Sequence, residues 1–183
     1  TGVSPSYKRI PSKPNPLSPS EKDSIGSSAF EDCASLTSVT IGDSVTSIGD
    51  GAFEYCESLT SVTIPNRVIS IGSYAFKGCT SLKTVVISDA TESIFAHAFD
   101  RCTSLESIAL GKNVKKIGGC AFEECTSLKV ITIPASIEEL GAWVFHDTNI
   151  TDIYFGVSAP GENWNEKWAE GLNESVNIHW AEQ

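Results

Sequence analysis

Apolar side chains along this chain recur with a fixed period of 23 residues. Phenylalanine marks the period most clearly, at Phe30, Phe53, Phe76, Phe99, Phe122 and Phe145. Cysteine and leucine keep the same step, at Cys33, Cys56, Cys79, Cys102 and Cys125 and at Leu36, Leu59, Leu82, Leu105 and Leu128. Such a period is typical of equal coils that stack, because one coil cannot bury its apolar edge alone. The pattern therefore predicts a repeat solenoid of about six units over residues 23–155, in which residues 23 apart are neighbours.

Each unit predicts one strand and one shorter extended piece, joined by turns. In the unit from 56 to 78, apolar residues alternate with polar ones along the strand, at Leu59, Val62 and Ile64. A turn at Pro65-Asn66 leads to a second extended piece with Val68 and Ile71. The chain then reaches the next cysteine through a tight turn or a single helical turn. This order predicts a repeat solenoid of the α/β to mainly β class.

The two ends depart from the period. Residues 1–22 are rich in proline and serine and are predicted to be a flexible linker or tail. The first unit lacks its leading strand, so its apolar end is predicted to be covered by another segment or to associate end to end with a second copy.

The last segment, residues 156–183, is rich in tryptophan and is predicted to cap the array. Trp164 and Trp168 are four residues apart, which predicts a short helix, and Val176, Ile178 and Trp180 alternate as a final strand. A tryptophan platform that stacks on sugars is the alternative function for this segment.

The spacing of the cysteines argues against disulfides. Cysteines at one position of successive coils have parallel Cα–Cβ bonds, which do not suit the near-perpendicular torsion of a disulfide. We therefore predict a column of free, buried thiols. Cys120 lies outside this column and is predicted to be exposed and oxidisable.

Charge and motifs exclude several classes of function. The net charge of −10 argues against a general nucleic-acid binder, and no apolar run approaches the ~20 residues of a membrane span. The histidines, His97, His146 and His179, are scattered without metal-ligand spacing, and there is no nucleophile elbow or phosphate loop. We therefore predict no catalytic residue, no metal and no cofactor.

Charged residues form columns when they are aligned by the period. The columns are Glu92, Lys115 and Glu138; Lys83, Glu106 and Lys129; and Glu54, Lys77 and Asp100, and Arg101 is placed beside Glu124. Signs alternate within each column. The basic cluster of Lys112, Lys115 and Lys116 is therefore interpreted as a partner of neighbouring acids and not as an anion site.

The repeat C-x-S-L-x-x-V-x-I-P-x-x-V-x-x-I-G-x-x-A-F resembles the BspA-like, treponemal-type leucine-rich repeats over residues 24–155. The resemblance implies a right-handed superhelix with a parallel sheet on the concave face and short extended or turn segments on the convex side. It also implies a secreted or surface-displayed protein of mostly bacterial origin, in a family without shared catalytic residues. Several such proteins are adhesins for host proteins such as fibronectin and fibrinogen.

These expectations lead to a non-enzymatic, adhesin-like module that binds a protein, such as a host matrix or serum protein, through its concave face. Small side chains there suit a broad protein partner better than a small molecule. The candidate binding residues are Lys83, Thr84, Val86, Glu106, Ser107, Ala109, Lys129, Val130, Thr132, Asp152 and Tyr154. A structural spacer within a larger surface protein is the main alternative. Ice binding by the Ser/Thr array, enzyme inhibition and carbohydrate binding also remain open.

Overall fold

The computed structural model describes residues 23–182, which form a solenoid of parallel β-strands without a helix in that range. In chain order the strands are β1 (Ser24–Ile25), β2 (Ser47–Ile48), β3 (Ser61–Ile64), β4 (Ser70–Ile71), β5 (Thr84–Ile87), β6 (Ser93–Ile94), β7 (Ser107–Ala109), β8 (Lys116–Ile117), β9 (Val130–Ile133), β10 (Glu139–Leu140), β11 (Asp152–Phe155) and β12 (Asn177–His179). Within this range, therefore, nothing could cross a membrane as a helix.

The strands form two rows on opposite sides of the core. The short strands β1, β2, β4, β6, β8 and β10 make one six-stranded parallel sheet. The longer strands form β3-β5-β7 and β9-β11-β12, and β7 packs beside β9. The register follows the sequence period, since Val62 pairs with Val85 and Val85 with Ile108. The structure confirms the predicted solenoid with parallel sheets.

One expected strand is absent from the described residues. Residues 37–41 carry the strand pattern but are not assigned to a sheet. They are linked to the following coil by two long bonds to Thr37 O, from Thr60 N and from Thr60 Oγ1, each 3.3 Å. Within the described range this first coil has a neighbour on one side only, so its sheet hydrogen bonds are not completed. The linker predicted at residues 1–22 lies outside the described residues.

The repeated phenylalanines form one continuous stack through the core. Neighbouring rings are nearly parallel, with centroids 5.1 Å apart for Phe30 and Phe53 and 5.9 Å apart for Phe122 and Phe145. All of these rings are fully buried except Phe30 at the end of the stack, which is 39% exposed. Stacking requires the same side chain at the same place in each coil, which explains the strict period.

The cysteine column is confirmed as a row of free thiols beside the phenylalanines. All six cysteines are free. Each buried member donates a hydrogen bond to a backbone carbonyl of the preceding coil; for example, Sγ of Cys79 lies 3.2 Å from Phe53 O and Sγ of Cys102 lies 3.2 Å from Phe76 O. Burial raises the pKa of the Cys56 thiol to about 11. Because the thiolate is the reactive form, these cysteines are held in an unreactive state.

The prediction that Cys120 is exposed was wrong. Cys120 is 9% exposed, and burial together with a hydrogen bond to Glu123 raises the pKa of its thiol to about 12. Its Sγ lies within 4.8 Å of a ring nitrogen of His97 in the preceding coil and of a carboxylate oxygen of Glu123 in its own turn, a grouping that the sequence of a single coil does not reveal.

Thiol labelling should separate the two classes of cysteine. In the native, metal-free protein we expect Cys33, the half-buried thiol at the end of the column, to react first with an aromatic disulfide reagent. The other thiols should react only in denaturant. The Cys33→Ser variant should lose the fast phase, and a fast phase that survives this substitution would contradict the burial described here.

Between the two rows of strands, each coil crosses a turn in which two residues adopt a left-handed backbone. In one coil these are Tyr74 (φ 60°) and Gly78 (φ 68°), and in the next they are His97 and Arg101. Backbone N–H groups of these turns bond to the following coil, as in Phe76 N to Ala98 O at 2.8 Å. The sequence was compatible with either a tight turn or a single helical turn in this segment, and the structure contains the tight turn.

The helix predicted around Trp164 and Trp168 is also wrong, because this segment is a series of turns. Its backbone groups extend the turn ladder of the solenoid: Asn165 N bonds to Leu140 O at 2.7 Å, and Trp143 N bonds to Lys167 O at 2.9 Å. The backbone N–H and C=O groups that bond to the neighbouring coil are the groups that a helix would need for its own hydrogen bonds. The predicted final strand is confirmed as β12.

Aromatic side chains of the last segment pack over the end of the core. The ring centroid of Phe155 lies 5.1 Å from Trp164, 5.4 Å from Trp168 and 4.6 Å from Trp180. Trp168 also meets Phe145, the last member of the phenylalanine stack, edge-on at 6.5 Å. Phe155 is buried as a result.

Candidate binding surface

The candidate surface is the outer face of the longer strands, called here the strand face. Along each strand, side chains alternate between the core and solvent, as in β5, where Val85 and Ile87 are buried and Thr84 and Val86 are exposed. All of the residues predicted for binding lie on this face or directly before its strands. Each is exposed except Asp152, which is half-buried.

Strand pairing arranges these residues in two outward columns. One column contains Ser61, Thr84, Ser107, Val130, Asp152 and Asn177, and the other contains Thr63, Val86, Ala109, Thr132, Tyr154 and His179. The large apolar members are Val86, Val130 and Tyr154, which are 49%, 48% and 43% exposed. Val130 therefore lies one column away from the other two, so the three exposed apolar side chains are staggered.

The charged residues at the start of these strands do not pair with each other. Among the described residues no ion pair joins any two of Lys83, Glu106 and Lys129, although their signs alternate. The Nζ atom of Lys129 instead lies 3.3 Å from Asn149 O. The alternation of signs in this column, noted in the sequence, therefore does not lead to ion pairs between neighbouring coils. Long side chains on a solvated face reach water more readily than one another.

The other charge columns do form pairs. Lys115 bonds to Glu92 at 3.0 Å, Lys77 bonds to Asp100 at 3.2 Å and Arg101 bonds to Glu124 at 3.1 Å. The remaining lysines of the basic cluster are also paired: Lys112 with Asp89 and Lys116 with Glu139, both at 2.7 Å. This confirms that the basic cluster is neutralised by neighbouring acids.

Two residues that the sequence interpretation omitted extend the strand face. His179 on β12 stacks on Tyr154 with ring centroids 4.2 Å apart, and its Nε2 donates to Asp152 Oδ1 at 2.9 Å. Asn177 donates to the same oxygen at 3.2 Å. These bonds, with His179 first, lower the pKa of Asp152 below its ordinary value. The alternation of Val176, Ile178 and Trp180 in the sequence was the available signal, because it places the residues between them, Asn177 and His179, on the other side of the strand.

Depressions on the surface are broad. One of about 560 Å³ borders the strand face and is lined by residues that include Thr63, Asn66, Arg67 and Val86. Another of about 510 Å³ lies on the opposite row, between β8, β10 and the tryptophan-rich segment, with Phe95 and Trp164 in its wall. Residues with a catalytic arrangement of nucleophile and base do not line either of them.

Comparison with known proteins gives consistent matches. The family model described as BspA type Leucine rich repeat region matches residues 23–151 in six copies. The fold is similar to the Leucine Rich Repeat protein of T. pallidum, at 29% identity over 75% of the chain with a TM-score of 0.67. It is also similar to a leucine-rich repeat protein from Bacteroides ovatus, at 27% identity over 87% of the chain with a TM-score of 0.68.

A third similar structure is a leucine rich cell surface protein from Faecalibacterium prausnitzii, at 30% identity over 86% of the chain with a TM-score of 0.60. The chain spans 65%, 45% and 43% of the lengths of these three proteins, in the order given. Among curated proteins, no sequence matches the chain.

Proposed function

Because the chain belongs to the BspA-type leucine-rich repeat family, we propose that it is a non-enzymatic module that binds a protein through the strand face. We place this module outside a bacterial cell, in a secreted or surface-displayed protein. The similarity to a cell surface protein of Faecalibacterium prausnitzii supports this location. The observation that carries the binding proposal is the exposure of Val86, Val130 and Tyr154 on the strand face.

The chemistry of the strand face suits a protein partner. Ser, Thr and Ala side chains leave the surface smooth, so a partner can approach the backbone closely along several coils. The apolar side chains lose water on contact, and an exposed tyrosine supplies both apolar area and a hydroxyl, a combination enriched at protein interfaces. The charges of Lys83, Glu106 and Lys129 are not neutralised by one another and could meet charges of a partner.

Acidic substitutions on the strand face should abolish binding. The variant Val86→Asp/Val130→Asp/Tyr154→Asp removes the exposed apolar groups and adds charges that a partner would have to desolvate. We expect affinity for the partner to fall at least about 100-fold, since central anchors contribute about 2 kcal/mol or more each. Immobilised matrix and serum proteins, with fibronectin and fibrinogen first, provide the partners for a surface plasmon resonance assay.

A matched control variant has the same three aspartate substitutions at exposed apolar residues outside the strand face. Ile69, Tyr74 and Phe95 are also exposed apolar residues but lie off the strand face, so the variant Ile69→Asp/Tyr74→Asp/Phe95→Asp should retain binding. Circular dichroism and the midpoint of thermal unfolding check that both variants fold. Equal binding by the wild type and the strand-face variant would overturn the proposed site.

A spacer role is the second candidate, and one observation favours it. The chain spans less than two thirds of the similar solved proteins, so recognition could reside in other parts of a longer protein. In that case neither variant would change binding by the complete protein. A spacer could also be extended by end-to-end association of two copies through the exposed ring of Phe30. Sedimentation velocity tests this by comparing the mass of Phe30→Asp with that of the wild type.

A further inference from the structure

The turns between the two rows of strands bring together side chains that are far apart in sequence. Successive coils place Tyr74, His97, Cys120 and Trp143 in one row, and Lys77, Asp100, Glu123 and His146 in the adjacent row. Histidine, cysteine and glutamate meet where these rows run side by side. We call His97, Cys120, Glu123 and His146 the turn cluster.

The distances among His97, Cys120 and Glu123 of the turn cluster are close to those of a metal-binding site. A ring nitrogen of His97, Sγ of Cys120 and a carboxylate oxygen of Glu123 lie within 4.8 Å of one another. An ion bonded to such donors at about 2.0–2.3 Å would draw them slightly closer together, which side-chain rotation on a partly open surface allows. Cys120 is buried, and His97 and Glu123 are half-buried, so the site is shielded and still reachable from solvent.

A fourth donor, Nδ1 of His146, lies beside the same carboxylate, outside the group of three whose donor atoms are all within 4.8 Å of one another. Nδ1 of His146 is buried and has no hydrogen-bond partner among the described residues. It lies 3.4 Å from Glu123 Oε1 and 3.3 Å from Asp147 Oδ2, in orientations that form no hydrogen bond with either. A buried imidazole nitrogen without a partner costs free energy, and a coordinated cation removes that cost.

We propose that the turn cluster binds one divalent transition-metal ion of the zinc type, with His97, Cys120, Glu123 and His146 as ligands. Two imidazole nitrogens, one thiolate and one carboxylate form a four-donor set that suits tetrahedral Zn²⁺ and disfavours the hard ions Ca²⁺ and Mg²⁺. Cys120 binds as the thiolate, so its proton passes to solvent when the ion enters.

Residues behind the ligands hold them in place. Asp100, which is buried, accepts a hydrogen bond from Nδ1 of His97 at 3.1 Å and is also bonded to Lys77. A carboxylate behind a histidine orients the ring, as is usual in metal sites. Gly171 packs directly on the ring of His146, where a Cβ atom would lie 2.3 Å from Cδ2. These contacts preorganise both imidazoles.

The site would connect three successive coils, since His97, Cys120 with Glu123, and His146 belong to different coils. No linear metal motif is visible because His97 and Cys120, and likewise Glu123 and His146, are one repeat period of 23 residues apart, and only Cys120 and Glu123 are close in sequence. The sequence prediction of no metal considered neighbours along the chain, whereas here the neighbours lie across coils.

Cobalt provides the direct test, because a Co²⁺ ion bound by a thiolate has a charge-transfer band in the near ultraviolet. We titrate the tag-free chain, stripped with EDTA and kept reduced, with Co²⁺ and then with Zn²⁺. One equivalent of Co²⁺ should produce the band, and one equivalent of Zn²⁺ should remove it. Zn²⁺ should also raise the midpoint of thermal unfolding, because the preorganised site of the folded chain should bind it more tightly than the unfolded chain does.

Variants decide whether the turn cluster is responsible. Cys120→Ala should abolish the band and weaken Zn²⁺ at least about 10-fold by calorimetry, and His146→Gln should weaken Zn²⁺ to a similar degree. Cys33→Ala and His179→Gln remove a thiol and an imidazole outside the cluster and should bind as the wild type does. The proposal is overturned if Co²⁺ gives no band in the folded wild type, or if Cys120→Ala binds Zn²⁺ with unchanged affinity.

Discussion

Replacing Phe99 by alanine is expected to lower the free energy of unfolding by about 3–5 kcal/mol. Phe99 is fully buried and stacks on Phe76 at 5.3 Å and on Phe122 at 5.7 Å. The substitution leaves a cavity between two rings that cannot close, because each ring belongs to a coil held by its own backbone bonds. Urea unfolding followed by circular dichroism measures the loss.

The end of the same stack provides the matched control. Phe30 contacts one ring, Phe53 at 5.1 Å, and remains 39% exposed. Phe30→Ala should therefore cost less than half as much as Phe99→Ala, although the chemical change is identical. Equal losses for the two variants would contradict the view that stacking on both sides stabilises the central coils.

Phe99→Ala should also change the shape of the urea unfolding transition. In a stack of coils each unit contacts only its neighbours, so cooperativity depends on the interfaces between coils. Weakening one interface in the middle should allow the two halves to unfold separately. A broader or biphasic transition is therefore expected for Phe99→Ala, with the end variant remaining close to the wild-type shape.

The period made the core predictable. Residues 23 apart must be neighbours, so the phenylalanine stack, the free thiols and the strand register follow from the positions of Phe, Cys and the alternating aliphatic residues. The pairing of Lys115 with Glu92 follows by the same reasoning. In each case the relevant contact joins equal positions of adjacent coils.

The errors occurred where contacts join unequal positions. The thiol of Cys120 bonds to Glu123, three residues later in the same turn, and the tryptophan-rich segment forms backbone hydrogen bonds with the preceding coil instead of within a helix. The ion pairs expected within the column of Lys83, Glu106 and Lys129 are absent for another reason. Adjacency in a column permits an ion pair but does not favour it over hydration on an open face.

The same distinction explains what the sequence missed on the strand face. His179 is not part of a complete repeat, and it is brought to Tyr154 and Asp152 by the pairing of β12 with β11. Its stacking and hydrogen bond make this end of the face more rigid than the serine- and threonine-rich coils at the other end. We therefore regard the end at Tyr154 as the stronger part of the proposed binding site.

Removal of residues 157–183 is expected to make the remaining solenoid associate with itself. We propose that this segment acts as a cap, because Trp164, Trp168 and Trp180 surround Phe155. Truncation would expose Phe155 and leave β11 without its partner β12. Exposing a large apolar side chain costs about 1.5–3 kcal/mol, and an unpaired strand edge is a template for pairing with another chain. Light scattering coupled to size-exclusion chromatography measures the association.

Two single tryptophan substitutions test whether packing on the end of the core, and not simply the loss of a large side chain, causes the loss of stability. Trp168 is half-buried against Phe155 and Phe145, so Trp168→Ala should lower the free energy of unfolding by about 2 kcal/mol. Trp143 is an exposed tryptophan on the turn face that contacts Lys167 through its ring, and Trp143→Ala should cost less than 1 kcal/mol, as surface changes usually do. A truncated chain that stays monomeric and unfolds at the wild-type midpoint would contradict the capping role. The packing around Phe155 would then make no measurable contribution to stability.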